Sequence, residues 1–408
     1  MQQLRFEMAE VQNSNEIKAN NVLLESKEPL LFKNILHETK NYSNWDILNW
    51  NWKELGNIFA DKKLPFRVGK KEKTKDPQWE VYTPIVYKTM NEFLNDAKKE
   101  SCNWYYFDYK HIREWFKDRP DIVKSFDWKL FDLDFDGSDS TMWIGSEGAH
   151  TNCHQDTYGC NIVAQIHGRK LWLLFPPDCS SQMNPSRTPY EESTIYSKYN
   201  FFTPSRKEID AIQTMIGKVK MVILEPNDVL FIPNGWWHYV ESLDISLSVN
   251  VWIPQPDDCK ARLKESLVNL IVNTIGHDLP KADDHPDSSL LESIKYIKLS
   301  LKECKNLKGN EMLEPPCKKK KSNTEDVSSF QNVENEYVKF IKTVPNFTNA
   351  DFEYFLTKNS CMDGLHDEQA EDNLEESDLT LVETLVDAFS HPDIISKVFS
   401  MIESKLLK

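Results

Sequence analysis

Positive charge is the first thing this 408-residue chain is short of. Its 49 Lys and Arg stand against 64 Asp and Glu, a net charge of −15. A chain of that sign repels phosphate backbones. No nucleic-acid partner is expected, while peptides with basic residues stay open as substrates. The eight cysteines never fall in a Cys-x-x-Cys pair, so neither a zinc ribbon nor a dithiol redox motif is expected. No apolar run approaches the length that spans a bilayer. The first twenty residues are polar and contain no apolar signal-peptide core. The expectation is free thiols in a reducing compartment, a cytoplasmic location and no membrane. There is no glycine-rich phosphate loop. Gly145-Ser-Glu-Gly148 is one residue too short for a nucleophile elbow.

What is present is aromatic. The chain holds 12 Trp and 21 Phe, and it is long enough for one large domain and a smaller appendage, which suits a sizeable β-core. From Thr141 the sequence reads as short strands at 141–146, 160–167, 170–175, 220–225, 228–232, 236–242 and 245–252. Turns such as Glu225-Pro-Asn-Asp228 and Pro233-Asn-Gly235 separate them. That pattern predicts an antiparallel barrel or cupin-like jelly roll, which takes ligands in its interior.

Around a barrel core at 141–258 the chain divides by composition. Residues 1–24 read as a flexible lead-in, and 25–140 as a mixed α/β buttress. The buttress has strand signals at 29–32 and 64–68, and helix signals at 44–56, 90–97, 112–116 and 120–126. Residues 178–219 interrupt the barrel, either as a substrate-binding or lid segment or as an excursion covering a sheet edge. Residues 259–304 read as helices, the first opened by an acidic cap at Asp257 and closed by Gly276. Ser289 caps the next. Residues 305–378 read as a partly disordered linker with the basic run Lys318–Lys321 and an acidic stretch at 363–378. The basic run is a solvated linker or a nuclear-import signal. Residues 379–408 read as two amphipathic helices. Leu381, Leu385, Val386, Phe389, Ile395, Val398, Phe399 and Ile402 make a face that docks on the barrel or binds a partner helix, a homodimer included.

Inside the barrel, His154 and Asp156 stand two apart, so an extended strand points both to one side. His238 lies far downstream, where a distant strand can fold back beside them. Two imidazoles and a carboxylate make the facial triad of non-haem Fe(II) oxygenases, with positions left for co-substrate and oxygen. A His-x-Asp triplet by itself is more often a surface turn or a hydrogen-bonded pair. Lys170 opens the apolar run Leu171–Phe175. It either snorkels from an edge strand or meets a ligand carboxylate inside the barrel. Asn250 sits opposite the stripe Ile245, Leu247, Val249 and Val251, as a ligand partner or a satisfied core amide.

The residues together carry a resemblance. It rests on the block from Trp143 to Asn161, then on Gln165-Ile-His-Gly-Arg-Lys170, Leu174-Phe-Pro-Pro177, Phe231-Ile-Pro233, Trp236-Trp-His238-Tyr-Val-Glu-Ser242 and Ser248-Val-Asn250-Val-Trp252. Over about residues 25 to 258 the chain resembles the JmjC-domain 2-oxoglutarate oxygenases, the hydroxylase branch more than the histone demethylases. Gly148-Ala-His150-Thr-Asn-Cys-His154, Tyr158-Gly-Cys-Asn161 and Pro189-Tyr-Glu-Glu-Ser193 are most similar to a subgroup associated with a small heat-shock protein. The resemblance implies a mostly β fold, a double-stranded β-helix with flanking helices and a helical C-terminal region. It implies Fe(II) on His154, Asp156 and His238, with 2-oxoglutarate and O2 as co-substrates. Lys170 then binds the distal carboxylate, and Thr151, Asn161, Asn250 and Tyr106 bind co-substrate, with Tyr105 as the alternative alignment for Tyr106. The interval from Asp156 to Asn161 is one residue longer than in the asparaginyl hydroxylase of that branch, a feature of the subgroup. The implied activity is protein hydroxylation, with demethylation less favoured, and the implied partners are a protein or peptide substrate and a small heat-shock protein. The rival readings are an interaction module that binds the heat-shock protein without catalysis, and a metal cupin of another reaction, which would have no need of Lys170.

Overall fold

The computed structural model describes residues 23, 25–39, 45–99, 101–276, 279, 290–311, 340–358 and 378–406. The lead-in except Leu23, His277, Ser289, Lys318–Lys321 and the acidic stretch up to residue 377 lie outside the described residues.

Period-two alternation builds the core. Strands β1 (Leu30–Phe32), β2 (Leu64–Lys70), β3 (Ile85–Lys88), β4 (Asn103–His111) and β5 (Thr141–Gly145) are followed by β6 (His150–Asp156), β7 (Cys160–His167) and β8 (Lys170–Phe175). Then come β9 (Pro185–Ser186), β10 (Thr194–Ser197), β11 (Lys220–Leu224), β12 (Val229–Ile232), β13 (Trp237–Ser242), β14 (Ser246–Ile253) and β15 (Ile341–Thr343). They form two antiparallel sheets, β15-β1-β12-β7-β14-β5-β4-β2-β3 and β11-β8-β13-β6-β10-β9. From β5 to β14 the chain alternates between the sheets, except that β8, β9, β10 and β11 all lie in the second sheet. The result is a double-stranded β-helix, the jelly roll expected from the sequence. On β14, Leu247, Val249 and Val251 face a core shared with the buttress. The intervening Ser248, Asn250 and Trp252 face the barrel interior.

Two segments differ from the sequence reading, and a third is decided between its two alternatives. The helix expected over 44–56 is two pieces, a 3₁₀ turn Asp46–Asn49 and a helix Trp52–Phe59. The break is at Asn51, which stays extended while its side chain accepts from Lys53 N and Glu54 N in a capping box with Glu54. The interruption at 178–219 covers a sheet. Its β10 pairs along β6, and Cys179, Met183, Phe201, Ile212 and Met215 pack on the outer face of β8 and β13. Residues 340–358, expected as linker, instead contribute β15, which pairs with β1, and bury Phe347, Phe352 and Phe355 in that same outer cluster.

Helices Asp258–Thr274, Leu290–Glu311, Asp378–Phe389 and Pro392–Leu406 follow the barrel. Asp257 makes no side-chain cap; its neighbour Asp258 accepts instead from Gln255 N and Gly159 N. Gly276 is not left-handed. A Cβ there would come 3.0 Å from Val386 Cγ2, so close approach of the last helices is its reason to be glycine. Those helices dock: Val386 and Ile395 bury against Leu267, Val268 and Val272, and Phe399 against Cys259 and Leu263. Leu381, Leu385, Phe389 and Val398 of the expected face stay exposed. No helix among the described residues is long and apolar enough to cross a membrane.

Candidate metal and co-substrate site

Strand pairing brings the triad together. β6 and β13 run side by side with His154 opposite His238, and the two ring centroids lie 4.1 Å apart. Asp156 is two residues along β6, with its Oδ1 3.8 Å from His154 Nε2. One potential ligand atom from each of the three lies within 4.8 Å of the others, and among the described residues no other group of three His, Cys, Asp or Glu does so.

Neighbouring groups fix which atoms face inward. His154 Nδ1 is 2.8 Å from Asn152 O, and His238 Nδ1 is 3.1 Å from Trp236 O. A carbonyl can only accept, so both Nδ1 atoms carry the proton and both Nε2 lone pairs stay free for a cation. Trp252 Nε1 donates to Asp156 Oδ2 at 3.1 Å, leaving Oδ1 on the His154 side. Burial, and then the neighbouring His154, hold the His238 imidazole well below its ordinary pKa. It is therefore neutral at physiological pH, the form that ligates metal.

The same cavity is lined by Thr151, Asn161, Lys170, Asn250 and Tyr106 together with the triad. All eight residues singled out in the sequence line one space. Tyr105 does not line it; its ring lies under Lys88 Nζ. Lys170 is 2% exposed and donates to Ser248 Oγ at 2.9 Å and Tyr106 Oη at 3.3 Å. It forms no ion pair among the described residues, and burial pushes its pKa down to about 7. Tyr106 in turn bonds Thr151. Asn250 Nδ2 donates to Asn161 Oδ1 at 3.0 Å and its Oδ1 accepts from Trp143 Nε1 at 2.8 Å. The amide pair is thus held rigid at the cavity wall.

Sequence reasoning missed Ser248, Trp252, Trp143 and Trp172, which also line the cavity. A signal for the first two was present. Ser248, Asn250 and Trp252 alternate on one strand, so placing Asn250 inside places its i±2 neighbours there too. Trp143 and Trp172 look like ordinary core aromatics in sequence.

Residues 15–259 match the cupin-like domain family. The chain is 38% identical over 272 residues to HSPB1-associated protein 1 of Rattus norvegicus, covering 63% of this chain and 55% of that protein. It is 35% identical over 325 residues to the HSPB1-associated protein 1 homolog of Danio rerio, covering 73% of this chain and 70% of that protein. It is 34% identical over 110 residues to lysine-specific demethylase JMJ30 of Arabidopsis thaliana, covering 27% of this chain and 24% of that protein. The chain spans a little over half the length of the mammalian relatives it matches.

Proposed function

The chain belongs to the cupin-like family, in the JmjC group with the HSPB1-associated proteins, and from that premise we propose that it is an Fe(II)- and 2-oxoglutarate-dependent oxygenase acting on protein. One observation carries the reading. A buried lysine that forms no ion pair among the described residues shares a cavity with two imidazoles and a carboxylate whose donor atoms converge. A buried ammonium is costly without an anion. A ligand with a carboxylate at one end and a metal-chelating group at the other satisfies both halves of the cavity.

His154, Asp156 and His238 would hold the iron, the two Nε2 atoms and one carboxylate oxygen forming one face. When bound, iron and the 2-oxo acid would supply activation of O2 for C–H hydroxylation: one oxygen atom of O2 ends in succinate, released with CO2, and the other in the substrate hydroxyl. The chain's own residues orient and exclude. Lys170 fixes the distal carboxylate by a charge-assisted hydrogen bond. Tyr106 and Ser248 hold the ammonium in place, and Thr151 bonds Tyr106. Asn161 and Asn250 present amides at the wall. Val163, Trp172 and Val240 form apolar lining that keeps water out.

The test is anaerobic calorimetry of 2-oxoglutarate with Mn²⁺ in place of iron, on wild type and Lys170→Ala. The expected result is micromolar binding that requires metal and is lost in the variant. No binding by folded wild type would overturn the oxygenase reading. The name shared by the relatives favours a second role, docking of a small heat-shock protein. Such docking without 2-oxoglutarate binding would make the chain an interaction module. A cytoplasmic site of action fits either role.

A further inference from the structure

We propose that Gln155 and Asn234 are positioning residues for the metal. Their side-chain amides tie the turn before His238 to the strand and turn around Asp156, and so fix how closely the two halves of the triad approach. The proposal rests on the reading of His154, Asp156 and His238 as a metal site.

The first observation is where the backbone ladder gives out. β13 begins at Trp237, and beside β6 it pairs regularly only for Trp237 opposite Gln155 and His238 opposite His154. Between His238 and Val240 the register shifts. Along its other edge β13 is held evenly, with every residue from Trp237 to Ser242 paired to β8. The weak seam therefore lies between β13 and β6, at the level where one imidazole faces the other. A bulge bends and twists the strand that carries it, while metal donors must be held to about 0.5 Å.

The second observation is a pair of bonds across that seam. Gln155 stands between the two ligands of β6, so its side chain leaves on the opposite face. Its Nε2 donates to Gly235 O, in the turn that leads into β13. Asn234, in the same turn, donates from Nδ2 to Gly159 O at 3.0 Å, just past Asp156. Both acceptors are carbonyls, so both amides must present their NH2 groups. Gly235 and Gly159 have φ +83° and +73°, which lets the two turns come close. A Cβ on Gly159 would lie 3.8 Å from Trp252 Cβ, so that turn rests on the tryptophan that donates to Asp156. Gly159 N donates to Asp258 Oδ1 at 3.0 Å, which holds the same turn from its far side. The turn before His238 is thus bonded on both sides of Asp156, at Gln155 and at Gly159. Neither amide residue lines the cavity, so each acts through the ligands.

The test uses the full chain as wild type, Gln155→Met, Asn234→Ala and the double variant. Methionine keeps the length of Gln155 and removes its donor; Asn234 is exposed, so its variant reads one bond even if the other variant does not fold. Mn²⁺ affinity is measured by titration calorimetry, and the Co²⁺ absorption spectrum reports ligand geometry. Mn²⁺ binding is expected to weaken about tenfold in Gln155→Met, about threefold in Asn234→Ala and about thirtyfold in the double variant. The Co²⁺ spectrum should change with it. Unchanged Mn²⁺ affinity in the folded variants would overturn the proposal. A lower thermal midpoint with Mn²⁺ affinity and Co²⁺ spectrum unchanged would overturn it too, because the amides would then only stabilise the fold. Absence of Mn²⁺ binding by wild type would overturn the metal-site reading and this proposal together, whereas equal binding by wild type and variants would overturn this proposal alone.

Discussion

Lys170 is the residue on which most turns. Its buried ammonium has a pKa of about 7, far below the ordinary 10.5, because desolvation disfavours the charged form. Between those values the unfolded chain holds a proton that the folded one has released. Stability of the ligand-free protein should therefore rise as pH climbs from about 7 toward 10.5, and it should be lowest below that window. Binding a carboxylate needs the charged form. Affinity for 2-oxoglutarate should fall above pH 7, approaching about tenfold per pH unit. Calorimetry at pH 8 in two buffers of different ionisation enthalpy should show uptake of about one proton per site. At the metal side, Asp156→Ala should abolish retained stoichiometric iron. Trp252→Phe, which removes only the indole donor to Asp156 Oδ2, should weaken metal affinity by about 10–100-fold. Metal analysis after dialysis separates the two, and full iron retention in Asp156→Ala would sink the triad.

At the scale of elements, the segment that interrupts the barrel is a brace. β10 lies along β6 with Thr194 opposite Asp156 and Tyr196 opposite His154. The segment is anchored on its far side by Arg187 and Glu265, a buried ion pair to the helix Asp258–Thr274. Glu265 also accepts from Ser193 N, and Glu192 accepts from both Tyr158 and Tyr296. Removing one partner of such a pair leaves a bare buried charge. Glu265→Ala should cost about 3–5 kcal/mol in urea unfolding, whereas Arg187→Met with Glu265→Leu should recover most of it. If the single variant loses less than about 1 kcal/mol, the pair is not buried in solution. The sequence left this segment open between a lid and an excursion covering a sheet edge, and the ion pair that anchors it was not legible. Arg187 and Glu265 are far apart along the chain, and nothing local marks them as partners.

Across the whole molecule, the last two helices close the assembly. Asp387 accepts from Arg187 N at 2.8 Å and pairs with Lys198 at 2.9 Å, so the C-terminal region grips the brace that flanks β6. Phe399 fills the gap between Cys259, Leu263 and Cys304. Phe399→Ala should destabilise by about 3 kcal/mol. Deleting residues 378–408 should lower the thermal midpoint more than that single variant does. Calorimetry on the three proteins checks the order, and an unchanged midpoint after deletion would mean the helices do not dock.

What the sequence by itself determined is the alternation. Short strands with turn punctuation dictated a jelly roll, and β7 and β8 fall where the pattern places them. The i, i+2 spacing put His154 and Asp156 on one face before any partner was known. It did not mark β6 as a strand in its own right, because His150-Thr-Asn-Cys-His-Gln-Asp156 is polar on the face that a core strand would make apolar. Only the tertiary structure decided which strands lie side by side and that Lys170 is buried without an ion pair among the described residues. The reason is physical. Which way a side chain points is a property of consecutive residues, but strand partners, burial and the charges around a buried group depend on segments that meet only once the barrel has closed.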